Sequence, residues 1–497
     1  MESVLNILDR QPEIESLIES LAKGVEEQLV TGLVGSSRSL LLAALRRKTR
    51  RPLCVITHNM LQAQKVHGDL SELLPEDEVL LYPANETVMS ELLTADREVM
   101  RSRVHVMDRL VNSASPVLVL PYSGWRRLLP PASLWKDKQF VLTMGQEVNM
   151  EDVLRRLVAL GYERVERVEE PGQFAVRGGI LDVYSFSDQF PTRLEWFDVE
   201  IDSIRLFDPE TQRSLENRDR LRVLPVDDWG ADADERHRAS LQIMQFLQAY
   251  VRRLGDVAQR EKVTAQVEME VEKLKAGTPF DGMRKYTSAV FPGYENLLRY
   301  MPPETLVVFD EPSRIFELAR QMEKDEAETA GLLLEEGKLL PQLKLSFSLA
   351  ELRQRIAGPV LYLSTFLRQS GDMRPGNVVH FMSKTMQNFH GQMNLLKSEV
   401  ERWRKMRFQV VFLASNEERS RHLERVLNEE GIEAVRIGRD TPGLSGEPSI
   451  MEAHLHSGFE LATMRLVVIT EQEVFTKLQR TVRRSKVMNN AERIKSY

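Results

Sequence analysis

Residues 32–39 of the chain, GLVGSSRS, have the beginning of a phosphate-binding loop but not its end. In that motif a glycine is followed by four residues and then by Gly-Lys-Ser or Gly-Lys-Thr. Here Gly32 is followed by Ser37 and Arg38 in place of the second glycine and the lysine, and only Ser39 matches. The missing glycine would let backbone amides approach the phosphates, and the missing lysine would reach the outer ones. The sequence therefore predicts a degenerate nucleotide site that is inactive.

A second remnant of the same chemistry is the stretch VVFDE at residues 307–311. An apolar strand followed by Asp and Glu has the layout of a Walker B element, in which the aspartate holds Mg²⁺. Asp310 would hold the metal and Glu311 would polarise the attacking water. The sequence has no Gln-x-x-Gly-Arg-x-x-Arg arrangement that would supply an arginine finger. We therefore predict no catalytic residue, no metal and no cofactor for this chain.

Length and composition bound the class of protein. A chain of 497 residues is too long for one core and indicates three or four domains. The formal net charge of -7 argues against a nucleic-acid platform over the whole surface, so we expect weak or no DNA binding. The sequence shows no signal peptide and no membrane-spanning run, and its single cysteine fits a reducing cytoplasm. His454 and His456 alternate as in a strand, without the further ligands that a metal site needs.

The elements that position these residues are apolar strands alternating with helices. Helices are predicted over 40–50 and 61–74, each between two strand-like apolar runs, which indicates a parallel sheet covered on both faces. Near residue 140 the pattern changes to short alternating segments separated by turns, typical of antiparallel strands. Apolar strands at 306–309 and 360–363 then resume the first sheet. The predicted fold class is a multi-domain α/β protein, in which a degenerate P-loop, helicase-like parallel domain is interrupted by a β-rich insertion.

Composition also divides the chain into five segments. The predicted boundaries are 1–138 for the first part of the α/β domain, 139–228 for the β-rich domain, 229–374 for the second part of the α/β domain, 375–476 for a further small α/β domain, and 477–497 for a basic linker. Within the third segment, residues 231–285 are predicted to be charged helices with a solvated face. Within the fourth, Asn416 is predicted to cap a helix that runs through Leu427.

The stretch RLEWF in the β-rich segment predicts a surface for a partner. The strand period of two places Arg193 and Phe197 on one face. The alternate residues, Leu194 and Trp196, form the core face. A large aromatic side chain on a charged face is costly unless a partner covers it, and arginine beside such a side chain is typical of an interface hot spot. Arg177 lies on a separate segment next to two glycines that would let another backbone come close.

The passage from Phe174 to Glu216 is the most specific in the sequence, and it resembles the second domain of the excision-repair protein UvrB. It is more similar still to the UvrB-like amino-terminal module of the transcription-repair coupling factor family. The stretches THNMLQAQ, LLYPANE, LVVFDEPSRI and NAERIKSY extend the resemblance over essentially the whole chain. UvrB carries an intact Gly-Lys-Thr loop and an inserted aromatic β-hairpin. Here residues 82–86 lead quickly to a helix predicted over 97–110, with no room for that hairpin, which favours the coupling factors.

The resemblance implies a non-catalytic module that recruits UvrA and so links stalled RNA polymerase to nucleotide excision repair. Matching the family motif residue by residue gives Arg177, Arg193 and Phe197 as the UvrA-binding positions. It further implies that the complete protein continues past Tyr497 into an RNA-polymerase-binding domain and a DNA-translocating motor. ATP, Mg²⁺, RNA polymerase and duplex DNA would then be bound by that missing part.

Two alternatives stay open at this stage. One is a DNA-stimulated ATPase of the UvrB kind that uses Ser39, Asp310 and Glu311. The other is direct nucleic-acid binding through the basic tail and the charged helices.

Overall fold

The computed structural model describes residues 1–85, 97–113, 115–366 and 371–475, so the predicted basic linker at 477–497 lies outside the described residues. The described residues form two units, one within 12–32 and 41–380, the other made of residues 1–11, 33–40 and 381–475. Among the described residues, no helix has both the length and the apolar character needed to cross a bilayer.

Seven parallel strands form the main sheet of the first unit, in the order β15-β1-β14-β13-β2-β4-β3. They are β1 (Glu27–Thr31), β2 (Leu53–Thr57), β3 (Val79–Leu81), β4 (Val117–Pro121), β13 (Leu306–Asp310), β14 (Val360–Ser364) and β15 (Asn377–His380). Strands β2, β4, β13 and β14 are buried along their whole length, the pattern of a parallel sheet covered on both faces. Because β13 and β14 pair within this sheet, the prediction that it resumes after an insertion is confirmed.

The helices are numbered along the chain. They are α1 (Glu2–Leu8), α2 (Pro12–Ala22), α3 (Ser37–Thr49), α4 (Met60–Leu73), α5 (Arg97–Asn112), α6 (Tyr122–Trp125), α7 (Ala132–Lys138), α8 (Met150–Ala159), α9 (Ala233–Val251), α10 (Val257–Ala276), α11 (Thr287–Val290), α12 (Pro312–Glu335), α13 (Leu349–Gln354), α14 (Met393–Lys405), α15 (Glu417–Glu429) and α16 (Glu471–Val474). The helices predicted over 40–50 and 61–74 are confirmed as α3 and α4. The helix predicted over 97–110 is α5.

An aromatic cluster surrounds Phe309, the residue that precedes the Walker B-like pair Asp310 and Glu311. The ring of Phe309 lies 5.7 Å from that of Trp125, 5.8 Å from that of Phe316 and 5.5 Å from that of Tyr362, measured between centroids. Edge-on and tilted ring pairs of this kind add to the stability gained from burial. The backbone of Asp310 is therefore held by a rigid core immediately before it.

The β-rich part contains a two-stranded and a six-stranded sheet between residues 140 and 223, antiparallel except for one parallel pair of strands, Glu163–Arg164 with Gln173–Arg177. Strands β5 (Phe140–Thr143) and β12 (Arg220–Val223) pair with each other, so the start and the end of this part are neighbours. Six further strands form a sheet in the order β11-β10-β9-β8-β7-β6. They are β6 (Glu163–Arg164), β7 (Gln173–Arg177), β8 (Ile180–Val183), β9 (Thr192–Phe197), β10 (Glu200–Phe207) and β11 (Ser214–Asn217). Val153 and Leu157 of α8 share one core with Leu181 and Leu194.

The charged stretch after residue 231 forms the helices α9 and α10. A capping box begins α9, in which the Asp232 side chain accepts from the Glu235 amide and the Glu235 side chain accepts from the Asp232 amide. The two helices share a core that includes Ile243, Val267 and Tyr286. The stretch is therefore more than a solvated face, because its widely spaced apolar residues meet those of the neighbouring helix.

The second unit contains a six-stranded sheet in the order β16-β20-β21-β17-β19-β18. Its strands are β16 (Ser383–Thr385), β17 (Gln409–Ala414), β18 (Val435–Ile437), β19 (Ser449–Glu452), β20 (Phe459–Leu461) and β21 (Leu466–Thr470). As predicted, Asn416 caps α15, and its side chain accepts from the amide of Arg419. Helix α1 belongs to this unit, where the Glu2 amide donates to the Arg439 carbonyl at 3.0 Å.

Candidate partner-binding face and degenerate nucleotide motifs

The ends of β7, β8 and β9 form one edge of the β-rich sheet. Gly178 and Gly179 make the turn between β7 and β8, and Gly178 adopts a φ of +59° with open space around it. The Gly179 carbonyl accepts from the Trp196 amide at 2.8 Å, and a Cβ added at Gly179 would lie 3.1 Å from the Trp196 carbonyl oxygen. Glycine thus allows β9 to come close at this point, as the sequence suggested.

Strand β9 has the two faces that its alternation predicts. Leu194 is fully buried, and Trp196 packs against the same core while its Nε1 donates to the Val148 carbonyl at 2.9 Å. Phe197 is 79% exposed at the end of the strand. The predicted facing is confirmed, and it leaves a phenyl ring in solvent.

A buried carboxylate organises the exposed side of this sheet. Asp182 of β8 is 1% exposed and accepts from Arg193 Nε at 2.6 Å and from Arg193 Nη2 at 2.8 Å. The Arg193 guanidinium also donates to Gln212 Oε1 at 3.0 Å and lies 4.4 Å above the Phe207 ring. The hydrogen bonds with Asp182 raise the pKa of Arg193 above its ordinary value. This bidentate pair therefore neutralises a charge that would otherwise be buried alone.

The two arginines predicted to bind UvrA, Arg177 and Arg193, therefore differ in their exposure and in how closely they contact Asp182. The Arg193 side chain is 18% exposed, whereas that of Arg177 is 55% exposed and reaches Asp182 only at 3.4 Å. The strand period gives the face of Arg193 but does not reveal the buried carboxylate on the neighbouring strand. Because Arg193 pairs with that carboxylate, we expect its removal to destabilise the fold, and removal of Arg177 to do so much less.

The same face continues as a ladder of paired charges. Glu195 accepts from Arg205 and from Ser203 Oγ, the latter at 3.1 Å. At the end of β9, Phe197 pairs with Glu200 of β10 across a tight turn. The face is therefore polar and internally satisfied along its length, and it ends in one large exposed ring.

In the degenerate loop, polar groups form hydrogen bonds within the loop itself. Ser37 Oγ donates to the Val34 carbonyl at 2.6 Å and accepts from the Val34 amide at 3.1 Å. Arg38 is 8% exposed, and its Nε donates to the Leu33 carbonyl at 3.0 Å. Ser39 is buried at the start of α3. The two residues that replace glycine and lysine thus stabilise the loop.

The remaining predicted nucleotide residues also have partners within the protein. The Gly32 amide donates to the Ser364 carbonyl at 3.1 Å. Asp310 accepts from Gln62 Nε2 at 2.8 Å. Glu311 adopts a φ of +60°, and its Oε1 accepts from the amide and the hydroxyl of Thr365 at 3.0 and 2.5 Å. Each acidic side chain is therefore held by a neutral protein donor.

A second buried carboxylate, Asp228, lies where the β-rich part returns to the α/β part. Arg127 and Arg284 each approach it to 2.7 Å, and Arg103 approaches it to 3.6 Å. Burial would raise the pKa of Asp228, but the guanidinium groups of Arg284, Arg127 and Arg103 hold it well below its usual range. No local pattern in the sequence predicts this cluster, because its four members are far apart in the chain and no motif connects them.

No group of three or more His, Cys, Asp or Glu side chains in the described parts of the chain is placed to hold a metal ion. The ring centroids of His454 and His456 lie 5.8 Å apart.

Comparison with known proteins links the β-rich part to a described family. Residues 140–229 match the family described as the UvrB interaction domain. The whole chain is 40% identical over 497 residues to the transcription-repair-coupling factor of Bacillus subtilis (strain 168), of which it covers 42%. It is 31% identical over 485 residues to the protein of that name from Staphylococcus haemolyticus, and 32% identical over 486 residues to one from Staphylococcus epidermidis, covering 40% of each. The chain thus spans about two-fifths of the length of these relatives.

Proposed function

We propose that this chain is the amino-terminal UvrB-like module of a transcription-repair-coupling factor and that it recruits UvrA through the exposed face of its β-rich domain. One observation carries the proposal. Within the segment that matches the UvrB interaction domain, Phe197 is 79% exposed on a face whose charged groups form pairs with one another.

The geometry suits recognition of a protein with an apolar pocket bordered by acidic groups. Phe197 would fill the pocket, since a buried aromatic anchor supplies much of the energy of a typical interface. Arg177 is half-exposed and contacts Asp182 at only 3.4 Å, so its guanidinium has room to approach a carboxylate of the partner. Arg193 would keep the Asp182 carboxylate neutralised, and this would leave Arg177 available to bind the carboxylate of the partner.

The internal hydrogen bonds of the degenerate motifs support a module without ATPase activity. Ser37 and Arg38 bond to the loop that would have to receive the phosphates, and Asp310 and Glu311 bond to protein donors. The net charge of -7 supports weak, salt-sensitive DNA binding at most. We assign contacts with RNA polymerase, ATP-driven movement on duplex DNA and residence in the cytoplasm to the complete protein as further parts of this proposal.

Calorimetry with purified UvrA tests the proposal on the 497-residue chain. We expect Phe197→Ala to weaken binding by about 2 kcal/mol or more, and Arg177→Ala by about 1–2 kcal/mol. Val158→Ala is the matched control, because Val158 is 61% exposed on α8, the helix that packs on the other side of the sheet. Wild-type affinity in both patch variants, with unchanged melting, would show that UvrA does not bind this face.

A further inference from the structure

The degenerate loop is closed against a segment that lies more than four hundred residues further along the chain. The Ser36 amide donates to Ser457 Oγ at 3.1 Å, and the Ser457 amide donates to Ser36 Oγ at 3.0 Å. The two hydroxyl oxygens lie 3.3 Å apart. Both segments belong to the same unit, whose described residues are 1–11, 33–40 and 381–475. Ser36 and Ser457 therefore form a reciprocal pair, in which each backbone amide has the other hydroxyl as its acceptor.

The space next to Gly35 is occupied by the same serine. Gly35 adopts a φ of +51°, and a Cβ added there would lie 2.2 Å from Ser457 Oγ and 3.4 Å from Ser457 Cβ. In a working phosphate-binding loop, glycine allows this close approach to a phosphate oxygen. Here the atom that comes close is a hydroxyl oxygen of the protein itself.

We propose that residues 33–38 are an intramolecular docking site, and that its ligand is the Ser457 side chain in the place of a phosphate oxygen. The contact requires glycine at position 35, because any Cβ there would collide with Ser457 Oγ. Ser37 and Arg38 complete the site by bonding to Val34 and Leu33, which fixes the loop in the shape that receives Ser457. The inference does not rest on UvrA binding, and it holds whether or not the β-rich face has that partner.

A double-mutant cycle on the full chain tests the docking, with hydrogen exchange of the loop amides as the measurement. Gly35→Ala places a methyl group against Ser457 Oγ, so we expect the loop to exchange about a hundredfold faster. Ser457→Ala removes that oxygen and leaves the Ser36 amide without it, so we expect about tenfold faster exchange at Ser36. In the double variant the new methyl group no longer meets an oxygen. We therefore expect less acceleration than the two single effects would give if they combined independently.

Gly391→Ala is the matched control, because Gly391 has a φ of +77° in the same unit but no atom near its added Cβ. Alanine there carries only the backbone strain, so we expect about tenfold faster local exchange. Equal effects of Gly35→Ala and Gly391→Ala would overturn the proposal, as would independent effects of Gly35→Ala and Ser457→Ala. Slower exchange of the wild-type Ser36 amide on adding Mg²⁺ and ATP would also overturn it, because a nucleotide would then have displaced Ser457.

Discussion

The β-rich face and the degenerate nucleotide motifs both contain residue types that commonly bind ligands or partners. The two regions differ in whether those side chains are already occupied by other groups of the protein. In the loop and at the end of β13, the side chains that could meet a nucleotide form hydrogen bonds with the protein's own groups, such as Asp310 with Gln62. On the β-rich face the charges are also paired internally, yet Phe197 is left 79% exposed. The difference teaches that residue types alone do not mark a binding surface, because polar groups readily find partners inside the chain. Our proposal therefore rests on the exposure of Phe197.

We expect Arg193→Ala to lower the free energy of unfolding more than any other variant in this comparison. The substitution removes both short hydrogen bonds to the buried Asp182 carboxylate and leaves only the contact from Arg177 at 3.4 Å. We expect a loss of about 3 kcal/mol in the free energy of unfolding of the β-rich part, measured by hydrogen exchange of β8 and β9.

Two variants control this prediction. Arg177→Ala should cost about 1 kcal/mol or less, because its side chain is 55% exposed. Adding Asp182→Asn to Arg193→Ala should restore part of the stability, since the unpaired charge is then gone. If Arg177→Ala proved the more destabilising of the two arginine variants, the assignment of Arg193 to structure and Arg177 to binding would be reversed.

A somewhat smaller effect is expected from Trp196→Ala, one residue before the exposed ring. Trp196 packs against the core of the β-rich part and donates to the Val148 carbonyl. Because Trp196 is only partly buried, we expect a loss of about 2 kcal/mol in the free energy of unfolding and a lower melting temperature by circular dichroism. Phe197→Ala should change stability by only about 0.5 kcal/mol. Unfolding by Phe197→Ala with a stable Trp196→Ala would mean that β9 is turned the other way.

The smallest effect is expected from Asp310→Asn, assayed for ATP hydrolysis with and without DNA. The wild-type chain should show no turnover above background, so the substitution should change nothing. Turnover that disappears in Asp310→Asn would restore the reading of the chain as an ATPase that uses Ser39, Asp310 and Glu311. It would also remove the contrast between the two regions.

The local pattern of apolar and polar residues was enough to predict much of the fold and part of the exposed face of the β-rich sheet. Apolar runs indicated the parallel sheet, and the alternation in β9 placed Phe197 outside and Leu194 inside, because strand geometry fixes these faces whatever the neighbours are. Partners distant in the chain were beyond such reasoning. Nothing in the local sequence connects Asp182 to Arg193 as a buried pair, or Ser36 to Ser457, since these contacts arise only when separate segments pack together.

The Asp228 cluster has a mechanical consequence. The β-rich part leaves and re-enters the α/β part at neighbouring points, and at re-entry three guanidinium groups from different segments meet one carboxylate. Bending the chain here would pull these cations away from their shared anion in a poorly polarisable interior, where such separation is costly. We therefore expect residues 226–230 to form a rigid connection and not a hinge. A force applied to the β-rich part would then be transmitted to the parallel sheet.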